Sequence, residues 1–168
     1  GIPFFNTQMG KGVIKGQADH YIGTAALSAG GYVHFALEKA DLIINAGHDV
    51  IEKPPFFMKP GGAEVIHVNF RSAEVDPVYF PQLEVVGDIA NALWQITEEI
   101  TPSTAWDFGM MHRARDAGAE NVAHDAVDMR YPVYPQHLVG IVREVMPSDG
   151  IIALDNGVYK LWFARNYR

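Results

Sequence analysis

Three short apolar runs, each ending in glycine or a polar turn, constrain the fold of this chain more than any other feature. They occupy residues 41–46, 65–70 and 84–86 and are rich in β-branched side chains. Continuous apolar runs of this length are typical of strands that are buried on both faces of a parallel sheet. In an open sheet of this kind, ligands bind outside the carboxyl ends of the strands. The turns after these runs are therefore the first place to look for a site.

Helical patterns alternate with the apolar runs. Residues 32–39 predict a short helix, and a longer amphipathic helix follows the third run, capped by Asp88 and ended by Pro102. A further strand is predicted over residues 2–6. Strands that alternate with helices favour an α/β fold with a doubly wound, mostly parallel, Rossmann-like sheet.

A polar stretch of helical propensity, residues 103–126, follows this sheet. The proline-rich residues 131–135 then mark a boundary, after which residues 135–146 predict an amphipathic helix and residues 151–154 a strand. We therefore expect most of one α/β domain, a helical linker, and the incomplete beginning of a second α/β domain. These three segments are residues 1–101, 102–131 and 132–168.

The composition excludes several classes of protein and site. The chain has no cysteine, so it can form neither disulfides nor thiolate metal sites. Its net charge of −7, with no basic stripe, argues against nucleic acid as a partner. We see no signal peptide and no apolar stretch long enough to span a membrane, and we expect a cytoplasmic protein without a membrane partner. The abrupt start at Gly1 suggests a boundary made by cleavage or truncation.

Two glycine motifs could approach a phosphate group. Gly10-Lys11-Gly12 fails both the dinucleotide pattern and the P-loop pattern, and we interpret it as a plain turn. Gly30 and Gly31 precede the first predicted helix, where bare N–H groups could bind the pyrophosphate of a nucleotide. Close packing of that helix on a strand explains the two glycines equally well.

The histidines show no spacing that is typical of a metal site. His48, Asp49 and Glu52 share a loop and could perform acid–base chemistry, although a solvated turn is the interpretation we favour. His67 lies inside a predicted strand, and we expect it to be a buried or edge residue with its hydrogen bonds satisfied. We name no catalytic residue and no metal ligand.

The segment Asp155-Asn156-Gly157 has two structural interpretations. An Asn-Gly pair after a strand is typical of a β-hairpin. Alternatively, the strand turns into a helix from about residue 158 to 167, with the helix N–H groups facing an anion. The broken period-two pattern of Leu161-Trp162-Phe163 counts against the hairpin, but locally the hairpin fits at least as well as the helix, so the residues alone leave both interpretations open.

The order and spacing of these motifs resemble thiamine-diphosphate enzymes, and among them the acetolactate synthases. Residues 2–100 are similar to most of the central domain of that family, and residues 132–167 to the beginning of its diphosphate-binding domain. The stretches that carry the resemblance are residues 2–3, 10–12, 40–47, 66–70, 73–74 and 86–88, with Asp155, Gly157, Trp162, Ala164, Arg165 and Tyr167.

The resemblance implies an enzyme that condenses two pyruvates into 2-acetolactate with loss of carbon dioxide. It also implies thiamine diphosphate and Mg²⁺ as cofactors and a homo-oligomer, dimeric or tetrameric. In the family, the catalytic Glu would precede Gly1 and the Mg²⁺ motif would follow Arg168, so we expect this chain alone to be inactive and to hold no cofactor tightly. Asn156, Gly157 and Tyr159 match positions near the cofactor's diphosphate, and the resemblance therefore predicts the helix rather than the hairpin after Gly157.

The resemblance also points to one branch of the family. Residues 48–53 lack the arginines that flavin-carrying members have there, and they look more like the catabolic branch, which is free of FAD. Asn69 departs from the family, which commonly has Asp at this position. Two alternatives remain: another thiamine-dependent 2-oxoacid decarboxylase or carboligase, and a non-catalytic nucleotide-binding module on the same fold.

Overall fold

The computed structural model describes residues 1–14, 18–25, 30–48 and 58–168. Within these ranges no helix is both long enough and apolar enough to cross a membrane. The helices and strands follow one another as β1 (Phe4–Thr7), β2 (Tyr21–Ala25), α1 (Tyr32–Leu37), β3 (Leu42–Ala46), β4 (Glu64–Asn69), β5 (Leu83–Val86), α2 (Ile89–Glu99), α3 (Gly109–Ala126), α4 (Pro135–Val145) and α5 (Tyr159–Asn166).

The chain divides into two compact units. The first contains Gly1–Val33 and Phe108–Arg168, and the second contains His34–Asp107. Strands β1 and β2 pair in the first unit, and the second unit holds a sheet in the order β3–β4–β5. Every pair of these strands is parallel, which confirms the predicted α/β fold with its mostly parallel sheet. The strands nevertheless form two sheets rather than one.

The second unit is built around β4. Val65 and Val68 on this strand are fully buried, as expected for the central strand of a parallel sheet. Helix α2 follows β5 and contacts β4. The carboxylate of Asp88 accepts the backbone N–H of Asn91 at 2.7 Å, which confirms the predicted cap, a contact that stabilises a helix by about 1 kcal/mol. No side chain of α2 is fully buried, and Leu93 on its apolar face is 38% exposed.

The first unit contains β2, a strand that the sequence did not predict. Gly23 interrupts its apolar pattern, and a glycine inside a strand weakens the periodic signal. The register with β1 shifts here, since Phe4 pairs with Tyr21 but Asn6 pairs with Thr24. Gly23 has a φ of +133°, and a Cβ at this position would lie 2.9 Å from Val33. Both the backbone conformation and the close approach of α1 therefore require glycine.

Helices α3 and α5 both pack against β2, and each also contacts α4. The predicted strand at residues 151–154 is wrong: the segment pairs with no described strand, and Ile151 is 91% exposed. An extended segment becomes a strand only through a partner's hydrogen bonds. The predicted helix after Gly157 is confirmed as α5, so the hairpin interpretation is excluded. The three predicted segments, 1–101, 102–131 and 132–168, remain predictions.

Candidate functional site

A cleft with a volume of about 880 Å³ opens in the first unit. The loop after β1 forms one wall, and the chain from Gly150 to Asn156 with α5 and the residues after it forms the other. Clefts of this size bind small molecules. Among the described residues, the charged side chains that line it are Lys11, Lys160, Arg168 and Asp155. Cations outnumber carboxylates here, although the chain as a whole is acidic, so the cleft favours an anionic ligand.

The loop that carries Lys11 is a turn, as predicted. Val13 donates its N–H to the carbonyl oxygen of Gly10 at 3.2 Å, and Gly10 donates its own to the hydroxyl of Thr7 at 3.2 Å. The side chain of Lys11 has a role that sequence reasoning missed. Its Nζ donates to the carbonyl oxygen of Ala164 in α5 at 2.9 Å and to Oγ1 of Thr24 in β2 at 3.3 Å. These partners lie 153 and 13 residues away, so no local pattern could identify them.

The surroundings of Lys11 disfavour its charged form. Burial, and then the charge of Arg168, lower the pKa of Lys11 to about 8. The hydroxyl of Tyr21 donates to Oδ1 of Asn6 at 3.1 Å, so the contact of 2.8 Å between Tyr21 and Thr24 must use the proton of Thr24. Thr24 therefore accepts from Lys11 with a lone pair of Oγ1. The hydrogen bonds form a chain in which Lys11 donates to Thr24, Thr24 to Tyr21, and Tyr21 to Asn6.

The structure places only one of the residues predicted near the diphosphate in the wall of the cleft. Asn156 lines it, whereas Gly157 and Tyr159 lie next to it at the start of α5. The amide of Asn156 is already engaged, because its Oδ1 accepts from Nζ of Lys160 at 2.6 Å and its backbone N–H donates to Asp155 at 2.6 Å. The side chain of Lys160 joins this group, although the sequence did not single it out.

Three consecutive backbone N–H groups are open at the start of α5. Those of Gly157, Val158 and Tyr159 donate to no acceptor among the described residues. The first N–H groups of a helix have no partner within it, and they carry the positive end of the helix dipole. This arrangement fits an anionic group such as a diphosphate. The role of Asn156, Gly157 and Tyr159 as its ligands remains a prediction.

Gly30 and Gly31 receive no support as a nucleotide site. Helix α1, which follows them, has only six residues. Gly30 has a φ of +86°, and a Cβ there would meet no described atom within 4 Å. The left-handed backbone accounts for a glycine at this position without close packing and without a ligand. Neither glycine lines the cleft.

A second polar cluster lies in the second unit, around the hydroxyl of Tyr79. This hydroxyl is 2.8 Å from Nδ1 of His67 and accepts from Nδ2 of Asn45 at 2.8 Å. Nε2 of His67 is 3.2 Å from the carbonyl oxygen of Arg71, which can only accept, so we assign the donor to Nε2 and the acceptor for the hydroxyl of Tyr79 to Nδ1. Burial is the main cause that raises the pKa of Tyr79. The prediction that His67 is buried and satisfied is confirmed, and the cluster is structural.

The side-chain amide of Asn69 makes two contacts that account for asparagine at this position, where the family commonly has aspartate. Nδ2 donates to the carbonyl oxygen of His48 at 3.0 Å, and Oδ1 accepts the N–H of Phe70 at 2.8 Å. An aspartate could make only the second contact.

Asp49 and Glu52, the other two members of the loop cluster with His48, lie outside the described residues, as does most of the segment 48–53 that bears on flavin. Within the described ranges, no three His, Asp or Glu side chains are grouped closely enough to hold a metal.

The family model and the relatives that match this chain agree with one another. A family model described as "Thiamine pyrophosphate enzyme, central domain" matches residues 1–96. The catabolic acetolactate synthase of Raoultella terrigena is 26% identical over 87% of the chain, and the acetolactate synthase of Bacillus subtilis (strain 168) is 24% identical over 99%. Acetolactate synthase 2, chloroplastic, of Zea mays is 25% identical over 99%. The chain spans only 29%, 30% and 27% of these relatives.

Proposed function

This chain belongs to the thiamine pyrophosphate enzyme family, and we propose that it is part of an acetolactate synthase. The whole enzyme would condense two pyruvates into 2-acetolactate and carbon dioxide. The observation that carries this proposal is the extent of the similarity: relatives named acetolactate synthase align with 99% of the chain, well beyond the central-domain match at residues 1–96. The chain would therefore supply most of the central domain and the beginning of the diphosphate-binding domain.

The start of α5 supports a role in holding the cofactor. Thiamine diphosphate supplies the nucleophilic carbon and the electron sink of such reactions when it is bound. The open N–H groups of Gly157, Val158 and Tyr159 would bind an oxygen of its diphosphate, and the ammonium of Lys160 would add a positive charge nearby. In this proposal the chain orients the cofactor and leaves proton transfer and Mg²⁺ binding to residues outside it.

The proposal is tested by assaying the native protein that carries this chain. We expect acetolactate from pyruvate, dependent on added thiamine diphosphate and Mg²⁺, and no turnover by the 168-residue chain alone. Turnover by the chain alone would contradict the proposal that proton transfer and Mg²⁺ binding depend on residues outside it. A native protein that releases carbon dioxide from a 2-oxoacid without forming acetolactate would instead be a thiamine-dependent decarboxylase.

We also expect the native protein to carry no FAD. The reason is the absence of arginine from residues 48–53, since arginine is the side chain best suited to bind a pyrophosphate. The measurement is the visible absorbance spectrum of the purified protein, with the supernatant after denaturation as a control for released flavin. Stoichiometric flavin in that supernatant would place the protein in the other branch of the family.

A further inference from the structure

We propose that Lys11 is an amine nucleophile that forms a reversible imine with a carbonyl compound bearing a carboxylate or phosphate. The reacting group is Nζ of Lys11, which lines the cleft of the first unit. This chemistry is separate from the thiamine-dependent reaction proposed above and does not depend on it. Three features of the cleft carry the proposal: the hydrogen bonds of Nζ, the charges around it, and the shape of the ligand that the walls accept.

The hydrogen bonds of Nζ leave room for a lone pair. Ala164 offers a carbonyl oxygen at 2.9 Å, and Thr24 offers Oγ1 at 3.3 Å. A neutral amine has two N–H donors and one lone pair, so these two acceptors use both donors and leave the lone pair free. The charged form would have a third proton and no lone pair. The two acceptors therefore fix the position of Nζ without consuming the electron pair that a nucleophile needs.

The charges around Lys11 favour both the neutral amine and an anionic reactant. A lysine is activated as a nucleophile when it is desolvated or lies near another cation. Burial and Arg168 have this effect on Lys11, and they lower its pKa to about 8. The other titratable groups that line the cleft are Lys160, Asp155, Tyr21 and Tyr167. After Lys11 becomes neutral, Lys160 and Arg168 remain as cations to bind a carboxylate or a phosphate.

The walls of the cleft accept an organic body attached to that anion. Ile14, Ile152, Leu154 and Phe163 contribute apolar surface around the charged residues. At about 880 Å³, the cleft has room for a ligand larger than inorganic phosphate. A small 2-oxoacid and a phosphorylated aldehyde both combine a carbonyl carbon with an anionic group, so both belong to the class that this cleft would accept.

The step balances without an oxidant or a reductant. The lone pair of Nζ attacks the carbonyl carbon, a C–N bond forms, and one of the two amine protons passes to the carbonyl oxygen. The hydroxyl group then leaves as water with the second amine proton, and a C=N bond remains. Addition of water reverses the sequence and releases the carbonyl compound.

The test uses the full chain with two probes, pyridoxal 5′-phosphate and pyruvate. Imines are trapped with a hydride reagent, and the labelled lysines are located by mass spectrometry of peptides. Near pH 7.5, a pKa of about 8 leaves Lys11 with a neutral fraction roughly two hundredfold above that of an ordinary lysine. A lower pKa also weakens the nucleophile, so we expect labelling on the order of tenfold faster at Lys11 than at exposed Lys59. The rate at Lys11 should level off above about pH 8.

Matched variants separate this proposal from a purely structural role. Lys11→Arg keeps the positive charge and the donors but cannot form an imine, so it should abolish the fast labelling, whereas Lys59→Arg should leave it unchanged. Replacement of Lys160 by glutamine should slow labelling by pyridoxal 5′-phosphate more than labelling by uncharged pyridoxal. Labelling of Lys11 no faster than Lys59, or equal effects of Lys160→Gln on both aldehydes, would overturn the proposal. Labelling by pyridoxal 5′-phosphate but not by pyruvate would restrict the ligand to the phosphorylated class.

Discussion

Replacement of Tyr79 by alanine is expected to lower the free energy of unfolding of the second unit by about 3–5 kcal/mol. Tyr79 is 1% exposed and belongs to the same core as Val65 and Val68. The ring also contacts His48 and His67, with centroid separations of 5.9 and 5.8 Å. Truncation to alanine leaves a cavity in this core, and it removes the hydroxyl that joins His67 to Asn45.

The phenylalanine variant isolates the contribution of the hydroxyl. Tyr79→Phe keeps the ring but leaves Nδ1 of His67 without a donor and Nδ2 of Asn45 without an acceptor. His67 is 3% exposed, so water cannot easily replace the lost contact. A buried polar group without a partner costs about 1–3 kcal/mol. We therefore expect Tyr79→Phe to lie between the unchanged chain and Tyr79→Ala in stability.

Urea denaturation, with amide hydrogen exchange of β4 as the local measure, checks this order. Tyr131→Phe is the matched control, because Tyr131 is 93% exposed and should tolerate loss of its hydroxyl.

Folding raises the pKa of Tyr79 above its ordinary value of 10.0, so the unfolded chain loses this proton first. The stability advantage of the unchanged chain over the Tyr79→Phe variant should therefore shrink as the pH rises above 10. Equal stability of Tyr79→Phe and the unchanged chain would show that the hydroxyl network contributes nothing.

The parts of the fold that could be predicted from sequence are those that depend on patterns of neighbouring residues. Strands β3, β4 and β5 follow from continuous apolar runs, and α2 follows from a periodic apolar face with a cap at Asp88. Strand β2 could not be predicted in the same way, because Gly23 breaks its pattern and its stability comes from pairing with β1. Residues 151–154 show the converse: their pattern is that of a strand, but no described strand pairs with them.

The candidate site was less predictable than the fold, because its contacts join remote positions. The family resemblance pointed to Asn156 and the start of α5, but nothing in the sequence indicated that Lys11 reaches Ala164 across 153 residues. Tyr79 has only a weak local signal in the sequence. Asp76 followed by proline is typical of a turn, and Oδ1 of Asp76 accepts the N–H groups of Val78 and Tyr79 at 2.8 and 2.7 Å. That turn positions Tyr79 for burial.

In the native protein, Gly157→Val is expected to weaken binding of thiamine diphosphate by about tenfold or more. A Cβ at position 157 would lie 2.9 Å from Cδ1 of Tyr159, closer than packed atoms tolerate. Either the ring or the backbone at the start of α5 must then move, and the open N–H groups of Gly157 to Tyr159 move with the backbone. A hydrogen bond to a charged group contributes about 1.5–3 kcal/mol, and about 1.4 kcal/mol corresponds to a factor of ten in affinity.

Titration of the apoenzyme with thiamine diphosphate measures this effect, and circular dichroism checks that the variant is folded. Gly87→Val is a suitable control, because a Cβ at Gly87 would meet no described atom within 4 Å and the residue lies in the other unit. A second variant tests whether contact with the ring of Tyr159 causes the weaker binding. In a Tyr159→Ala background the new side chain no longer meets a ring, so Gly157→Val should weaken binding less than it does beside Tyr159. If Gly157→Val leaves the affinity unchanged in both backgrounds, a side chain at position 157 does not disturb diphosphate binding, and the proposed role of Gly157 is wrong.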